Sequence, residues 1–262
     1  MKRYLRLYLY FLRFSLSKAM EFRVDFFFRV VMDLFFYSVQ FMFFNIIYLH
    51  TDLLGGWDQE QMKLFVVSFI FVDAFHMTFF ANNTWWFPIS INRGDLDYYL
   101  TRPASSFFFL AFKEFAANSM LNLIIGSILL GYFLFTSTLE FGAFKLIGYI
   151  LLLINGAFLY FMTFMIFLLS VFWTSSPKGF ADVFYAGEKA MHKPDGIYKG
   201  YMRRLFVNIL PFSIMASYPV RFLTQENSFE VFTVIGLASF LIYSVVFVLW
   251  KLGLKNYSSA SS

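Results

Sequence analysis

Four charged side chains interrupt a long apolar sequence between residues 92 and 103. They fall within ten positions, together with a glycine and a proline: Arg93, Asp95, Asp97 and Arg102, with Gly94 and Pro103. Charged side chains are costly in hydrocarbon, so this segment must lie in water or against another protein. Opposite charges on a short turn can set the register of a docked partner. The chemistry that this segment predicts is recognition, and an ordinary solvated loop is the alternative.

Two pairs of polar residues lie inside the apolar stretches that precede this segment. Asp73 and His76 are one helical turn apart, a spacing that suits a proton relay or, equally, a hydrogen bond between helices. Arg29 and Asp33 are four residues apart and predict an intramembrane ion pair on one helical face. This pair would either orient the helix at the interface or contribute to a substrate site.

A third polar pattern follows the charged segment. Glu114, Asn118 and Asn122 recur every four residues, which places them on one face of a predicted helix. Lipid would tolerate such a stripe poorly. We therefore expect these three residues to face a dimer interface or a water-filled translocation path.

The composition defines an integral membrane protein. Sixty per cent of the 262 residues are hydrophobic and 14% are charged, whereas soluble domains carry about 25% charged residues. The chain has 41 Phe, more aromatic surface than one soluble core of this size could bury. It has no Cys, which excludes disulfides, thiolate metal sites and Cys nucleophiles.

The hydropathy pattern predicts an all-α fold with six transmembrane helices. The spans are expected at about 24–48, 62–90, 107–135, 143–172, 200–222 and 229–250. Pro211 and Pro219 predict that the fifth span is broken and either crosses fully or turns back. Residues 173–199, which contain Pro177, Pro194 and several bases, predict a cytoplasmic loop. Residues 256–262 predict a disordered tail after a single transmembrane domain over 1–255.

The first 22 residues predict an amphipathic helix that lies in the lipid headgroup layer. Leu5, Leu9, Leu12 and Leu16 share one arc of the helical wheel, and bases that include Arg6 and Arg13 share another. The basic start of the first span is the alternative. With both termini in the cytoplasm, 17 of the 21 Lys and Arg residues fall on that side, as the positive-inside rule requires.

With this topology, the charged segment is a cytoplasmic turn between spans two and three. Its sequence resembles the Gly-x-Leu-Asp-x-x-Leu-x-Arg-Pro signature of bacterial ABC-2 type exporter permeases. The residues that carry the resemblance are Arg93-Gly94-Asp95-Leu96-Asp97, Leu100 and Arg102-Pro103. The six spans, the basic N-terminal helix and the proline-broken segment also resemble this family, whose architecture is the ABC-2, or type V exporter, fold. The resemblance extends over essentially the whole chain.

The resemblance implies an inner-membrane exporter subunit that moves an amphiphilic, glycan, lipid or drug-like substrate outward. It implies a separate ABC ATPase dimer that binds ATP and Mg, and a second permease that is identical or homologous. Membrane lipids are expected partners and nucleic acid is not. The segment would be the coupling helix that docks on the ATPase, with Leu96, Tyr99 and Leu100 as an apolar contact face. Its predicted residues are Arg93, Gly94, Asp95, Leu96, Asp97, Tyr99, Leu100, Arg102 and Pro103.

The sequence is also compatible with other classes of membrane protein. The sequence has no Gly-x-x-x-x-Gly-Lys-Ser/Thr phosphate loop, so we expect no ATP hydrolysis, no catalytic residue, no metal and no cofactor in this chain. A proton-coupled secondary transporter would need the few buried candidates Asp73, His76 and Glu114, and the chain shows no internal repeat. A structural membrane subunit is the other alternative.

Overall fold

The computed structural model describes residues 2–19, 23–102, 105–137, 139, 141–174, 176–225 and 228–258. These residues fold as an α-helical bundle, and the only β-type pairing among them is one isolated bridge between Leu54 and Trp57. The predicted all-α fold is confirmed. In chain order the helices are α1 (Lys2–Ala19), α2 (Arg23–Tyr48), α3 (Gln59–Phe79), α4 (Ala81–Asn92), α5 (Asp95–Leu100), α6 (Ser106–Phe112), α7 (Met120–Thr136), α8 (Ala143–Leu168), α9 (Val171–Thr174), α10 (Lys178–Glu188), α11 (Gly200–Arg203), α12 (Ile214–Thr224) and α13 (Ser228–Asn256).

Four helical segments in the described ranges are long and apolar enough to cross a membrane. They are Val30–Tyr48, Gln59–Phe79, Ala143–Thr174 and Ser228–Asn256, and α7 is apolar but shorter. The predicted continuous spans over 62–90 and 107–135 are each divided in the structure. Phe80, with φ −125°, separates α3 from α4, and residues 113–119 separate α6 from α7.

Helix α3 lies at the centre of the bundle. It begins at a capping box, in which the Asp58 carboxylate accepts a hydrogen bond from the Gln61 amide at 2.8 Å and the Gln61 side chain accepts one from the Asp58 amide. Val67, Ile70 and Val72 are fully buried where α3 packs on α7, α8 and α12. Lipid tails are as apolar as these side chains, so close packing, more than transfer from water, holds such helices together.

The two ends of α3 define the two ends of the bundle. At about 1.5 Å per residue, its 21 residues span roughly 30 Å, which matches the hydrocarbon core of a bilayer. The α2–α3 turn, residues 49–58, lies at one end, which we call the Gly55 end. Helix α4 leads from the other end of α3 to α5, and we call that end the α5 end.

Residues 173–199 do not form the loop at one end of the bundle that the sequence predicts. Helix α10 runs antiparallel to α8 and packs against it. The Phe184 ring stacks on the Phe164 ring, with 4.2 Å between ring centres, and its centre lies 5.5 Å from that of Tyr160. The segment then reaches the Gly55 end, where an added Cβ on Gly196 would be 1.9 Å from the Gly55 carbonyl oxygen. The prediction of a loop on the same side as residues 92–103 is therefore wrong for the end of this segment.

The predicted fifth span, residues 200–222, is also not one helix. After α11, Arg204–Ile209 form a π-helical turn, and the chain reverses at residues 210–213, where the Ser213 amide donates to the Phe206 carbonyl at 3.1 Å. Pro211 lies in this reversal, whereas Pro219 lies inside α12. Helix α12 packs against α8 and ends at the Gly55 end, where Lys145 Nζ donates to the Gln225 carbonyl at 3.0 Å.

Helix α13 returns to the α5 end and continues beyond the predicted limit of span six. Trp250 packs on Phe107 at 5.2 Å, and the Asn256 side chain donates to the Phe172 carbonyl at 2.7 Å. Tyr257 also packs on Phe172. The predicted disordered tail over 256–262 is thus wrong at its start, and residues 259–262 lie outside the described residues.

Helix α1 lies against α6 at the α5 end. Tyr4 packs edge-on to Phe108 at 4.8 Å, and the Ser15 hydroxyl accepts a hydrogen bond from the Phe115 amide at 3.1 Å. Arg13 on its other side is exposed. Helix α1 is therefore a separate helix outside the bundle, and its position in the headgroup layer stays a prediction.

Candidate functional site

The charged segment forms a short helix that is set off from α4 by a sharp turn. Gly94 has φ +80°, a left-handed conformation that is costly for residues with a Cβ. Helix α5 begins immediately after it, at Asp95. Asp95 and Asp97 lie in the first turn of α5, where the exposed amide groups favour negative charge. Gly94 therefore fixes the direction in which α5 leaves α4.

The inner side of α5 is held by packing within the chain. Leu96 is fully buried, and Tyr99 stacks on Phe109 of α6 at 5.4 Å. Lys113 lies over the Tyr99 ring at 5.9 Å. The prediction that Leu96 belongs to an apolar face for a partner is wrong, because its side chain is fully buried against the bundle; for Tyr99, which is partly exposed, that role stays a prediction. Leu100, which is 47% exposed, keeps that role as a prediction.

The outer side of α5 carries charges of both signs. Arg93, Asp95, Tyr98 and Arg102 are exposed. The Arg102 guanidinium lies 4.2 Å from the centre of the Tyr98 ring and donates to the Tyr98 hydroxyl. A cation over an aromatic face is held in place by the ring quadrupole. Pro103 lies outside the described residues.

Both termini of the chain approach this segment. Burial, and after it the negative charge of Asp97, raises the pKa of Tyr257 to about 12. At the other terminus, the Ser105 amide donates to the Tyr4 hydroxyl at 3.1 Å. The residue that follows α13 therefore lies near α5, and the residues that follow α5 are hydrogen-bonded to α1.

Asp33 lies in a contact between helices α2 and α7. The Asn122 side-chain amide donates to the Asp33 carboxylate. Asn122 is 2% exposed, and its Oδ1 has no hydrogen-bond partner among the described residues. The Arg29 side chain lies outside the described part of the structure, so the predicted Arg29–Asp33 ion pair stays a prediction.

The predicted stripe of Glu114, Asn118 and Asn122 is not a single helical face. Glu114 lies between α6 and α7, and only Asn122 is in α7. The Asn83 side chain binds both backbone groups of Glu114, with hydrogen bonds of 2.7 and 2.8 Å. The Asn118 side chain is not among those described. The sequence analysis missed this break because residues 113–119 contain neither Gly nor Pro and their polar side chains fit a helical spacing.

The two polar residues of α3 have separate surroundings. The Tyr37 hydroxyl of α2 donates to the Asp73 carboxylate at 3.2 Å. His76 is 3% exposed, packs edge-on to Tyr160 at 3.9 Å, and neither of its ring nitrogens has a hydrogen-bond partner within the described ranges. Asp73 thus makes the hydrogen bond between helices that the sequence analysis kept as the alternative to a proton relay.

Three polar side chains in residues 173–199 pack within the helical bundle, which the sequence analysis did not predict. Glu188 lies close enough to Tyr160 for the two side chains to interact electrostatically, and His192 packs against Phe69 at 4.8 Å. Asp195 is fully buried and pairs with Arg221 at 2.9 Å. The four-residue spacing of Phe180, Phe184 and Glu188 was the available signal for α10, but the surrounding bases and prolines obscured it.

The Asp195–Arg221 pair fastens the Gly55 end of the bundle. The Asp195 amide also donates to the Ser217 hydroxyl at 3.2 Å. The Arg221 guanidinium lies 5.1 Å from the Trp57 ring, and the Trp57 side chain is 2% exposed. Residues of the α2–α3 turn, the 195–197 turn and α12 therefore meet at one charged contact.

These features define a multi-pass, all-helical membrane protein with a charged helical turn outside the bundle. A family model described as ABC-2 family transporter protein matches residues 34–261. Comparison with curated proteins and with solved structures found no match. The chain belongs to the ABC-2 family of transporter proteins, as its resemblance predicted. It is a permease subunit of an ABC transporter, a class of subunit that works with a separate ABC ATPase subunit.

Proposed function

We propose that this permease is an exporter that moves an amphiphilic, glycan, lipid or drug-like substrate outward, and that α5 couples it to the ATPase. The observation that carries this proposal is the construction of α5. Its inner side is fixed to the bundle by Leu96 and Tyr99, while its outer side exposes Asp95 and Arg102. A partner can shift the conformation of a protein only by contacting its states differently. A rigid exposed turn between α4 and α6 suits that requirement.

The contacts of α5 indicate which helices would move when the ATPase displaces α5. Helix α5 packs on α6, and α4 continues directly into the central helix α3. Through Tyr257, the end of α13 also lies beside Asp97. Movement of α5 would thus reach three parts of the bundle. ATP and Mg would be bound by the ATPase, and this chain would supply no nucleotide-binding residue.

We further propose that the permease works as a dimer, with an identical or homologous second copy. Asp73 and Glu188 are ionisable, only partly buried by this chain, and lie within the membrane-spanning region. Ionisable groups at this depth are costly when they face lipid. A second permease would cover them, and membrane lipids would cover the remaining apolar surface.

The membrane topology that we propose has six crossings, with both termini and α5 in the cytoplasm of a bacterial inner membrane. The crossings are α2, α3, α7, α8, residues 178–197 and α13. Residues 198–224 enter from the Gly55 end and return to it. In this arrangement Lys193, Lys199 and Arg203 lie outside, and most of the bases still lie on the cytoplasmic side, in agreement with the positive-inside rule.

Cysteine labelling tests the revised topology. In this Cys-free chain, Lys199→Cys should react with an impermeant maleimide in intact cells as readily as Asp52→Cys in the α2–α3 turn. Both positions are exposed and lie near the Gly55 end. Thr101→Cys, which is exposed beside α5, should react only after the membrane is opened.

The outcome separates two arrangements of the fifth crossing. Labelling of Lys199→Cys only after permeabilisation would support the predicted cytoplasmic loop over 173–199 and would contradict the revised topology. Labelling of Thr101→Cys in intact cells would contradict the cytoplasmic position of α5 itself.

Co-purification tests the proposed function against its alternatives. The affinity-tagged permease, extracted from its own membrane, should carry with it a soluble subunit that has an ATP-binding phosphate loop and a second permease. Mass spectrometry of all subunits identifies both. Recovery of the permease without any ATPase, together with transport that follows a proton gradient, would favour a secondary transporter. Recovery in a complex with no transport activity would favour a structural subunit.

A further inference from the structure

An apolar cavity lies between helix α1 and the bundle at the α5 end. Its volume is about 360 Å³, which is within the range of small-molecule sites. Aromatic side chains of α1, α3, α6 and α8 line it, together with Phe80 at the junction of α3 and α4. We call it the Tyr8 cavity, after its lining residue in α1. All of its described lining side chains except Phe80 are partly exposed, so their rings are accessible to a ligand.

Helices α1 and α6 form one wall of the Tyr8 cavity. The Tyr4 ring packs edge-on to the Phe108 ring at 4.8 Å, and the Tyr8 ring packs edge-on to the Phe112 ring at 6.5 Å. Burial raises the pKa of Tyr8 to about 12, as expected where a hydroxyl group borders apolar surroundings. The interfacial helix thus contributes directly to the apolar lining.

Helices α3 and α8 form the second wall, which lies within the membrane. The Phe75 ring packs on the Phe79 ring at 4.4 Å and lies 6.5 Å from the Phe158 ring of α8. Phe75 is four residues before the end of α3, which is about 6 Å along the helix axis. This wall is therefore in the half of the bilayer next to the α5 end, at the depth of acyl chains.

The lining suits a chain without hydrogen-bonding groups. In the described part of the chain, the lining side chains carry no polar atom except the hydroxyls of Tyr4 and Tyr8. The Tyr4 hydroxyl already accepts a hydrogen bond from the Ser105 amide. A glycan or an extended peptide would leave polar groups without partners here, which is costly, whereas an acyl chain has none to satisfy.

Helix α1 supplies positive charge beside this apolar lining. Residues 2–19 contain five Lys or Arg and neither Asp nor Glu. Arg6 and Arg13 are exposed, and Arg6 lies two residues from both Tyr4 and Tyr8, on the opposite side of the helix. An arginine side chain can extend over apolar surface so that its guanidinium reaches a headgroup beside the helix. A negative charge at one end of the ligand complements these bases.

We propose that the Tyr8 cavity binds one acyl chain of an anionic phospholipid from the adjoining leaflet, and that Arg6 and Arg13 bind its headgroup. Guanidinium groups form strong, charge-assisted hydrogen bonds with phosphate. Because Phe108 and Phe112 belong to α6, the bound lipid fastens α1 to the helix that follows α5. This site is separate from export, since lipid binding requires neither the ATPase nor a transported substrate.

Photocrosslinking with two lipids that differ only in the headgroup tests the site. The purified permease, without ATPase and in nanodiscs of zwitterionic lipid, receives a trace of phosphatidylglycerol or phosphatidylcholine that carries a diazirine in one acyl chain. Peptide mass spectrometry should place phosphatidylglycerol adducts on Tyr8, Phe75 and Phe158. Phosphatidylcholine adducts at these positions should be roughly tenfold fewer, because bases near a membrane surface attract anionic lipids.

Matched variants separate the two parts of the site. Phe158→Asn places an amide in the cavity and should lower the phosphatidylglycerol adducts on Tyr8 by about tenfold or more, since the amide loses its hydrogen bonds beside an acyl chain. Leu151→Asn makes a similar change at a position of α8 that is 61% exposed, and should leave these adducts unchanged. Joint replacement Arg6→Gln and Arg13→Gln should remove the preference for phosphatidylglycerol, whereas Lys255→Gln, at an exposed base of α13, should keep it.

Three results would overturn the proposal. The first is equal labelling of the cavity by the two lipids. The second is labelling confined to outward side chains such as Phe14, which is 73% exposed. The third is the absence of adducts from the cavity, the result expected if a second copy of the permease covers it. If Phe158→Asn does not fold, as judged by gel filtration, the adduct map of the unaltered protein and the arginine variants decide.

Discussion

Replacing Arg221 with Ala should destabilise the permease by about 3–5 kcal/mol, because it leaves the Asp195 carboxylate buried without its cation. The Asp195 side chain is 1% exposed and that of Arg221 is 24% exposed. The cost is the desolvation of the carboxylate, which the pair at 2.9 Å offsets in the native protein. Thermal unfolding of the detergent-solubilised protein measures the loss, and we expect it as a large drop in the midpoint temperature.

Matched variants identify the cause of that loss. Arg204→Ala removes an exposed base from the preceding π-helical turn and should leave the midpoint nearly unchanged. The double variant Asp195→Asn with Arg221→Leu should recover most of the stability, since removing both charges leaves none buried and unpaired. If Arg221→Ala unfolds at the wild-type temperature, the pair does not fasten the Gly55 end.

Substitution of Asp95 or Arg102 by Ala should weaken ATPase binding while the permease still inserts and folds. Both side chains are exposed on the outer side of α5 and make no core contact. Losing one partner of a desolvated interfacial charge pair costs about 2–5 kcal/mol, and 2 kcal/mol corresponds to roughly 30-fold in affinity. The amount of ATPase retained on the tagged permease and the rate of substrate export measure the effect.

The far end of the bundle supplies the control for this prediction. Asp52 is an exposed carboxylate in the α2–α3 turn, and Asp52→Ala should keep both ATPase binding and export. Normal export and ATPase retention in both α5 variants would mean that the segment is only a solvated loop. Reduced export with full ATPase retention would assign α5 to transmission without docking.

The class of protein and the position of α5 could be predicted because they depend on local features. The apolar composition requires a membrane, and a cluster of charges beside Gly94 cannot be buried in lipid. Which residues of α5 pack on the bundle and which are exposed could not be predicted. Which side of a six-residue helix faces inward depends on Phe109, ten residues after Tyr99, and on how α6 is placed.

The path of residues 173–199 was missed for a different physical reason. A hydropathy window averages over all side chains, whereas α10 needs only the narrow apolar face of Phe184 and its neighbours to follow α8. Asp195 lowers the average further, although its charge is paired with Arg221, 26 residues later. Long-range pairing of this kind leaves no local signal.

The central claim, that the outer side of α5 contacts the ATPase, is tested most directly by photocrosslinking. A photoreactive phenylalanine analogue in place of the exposed Leu100 should crosslink to the ATPase subunit in native membranes. The same analogue in place of Leu53, which is 61% exposed at the Gly55 end, should give no such product. A crosslink from Leu53 but not from Leu100, in a complex that retains its ATPase, would contradict the account.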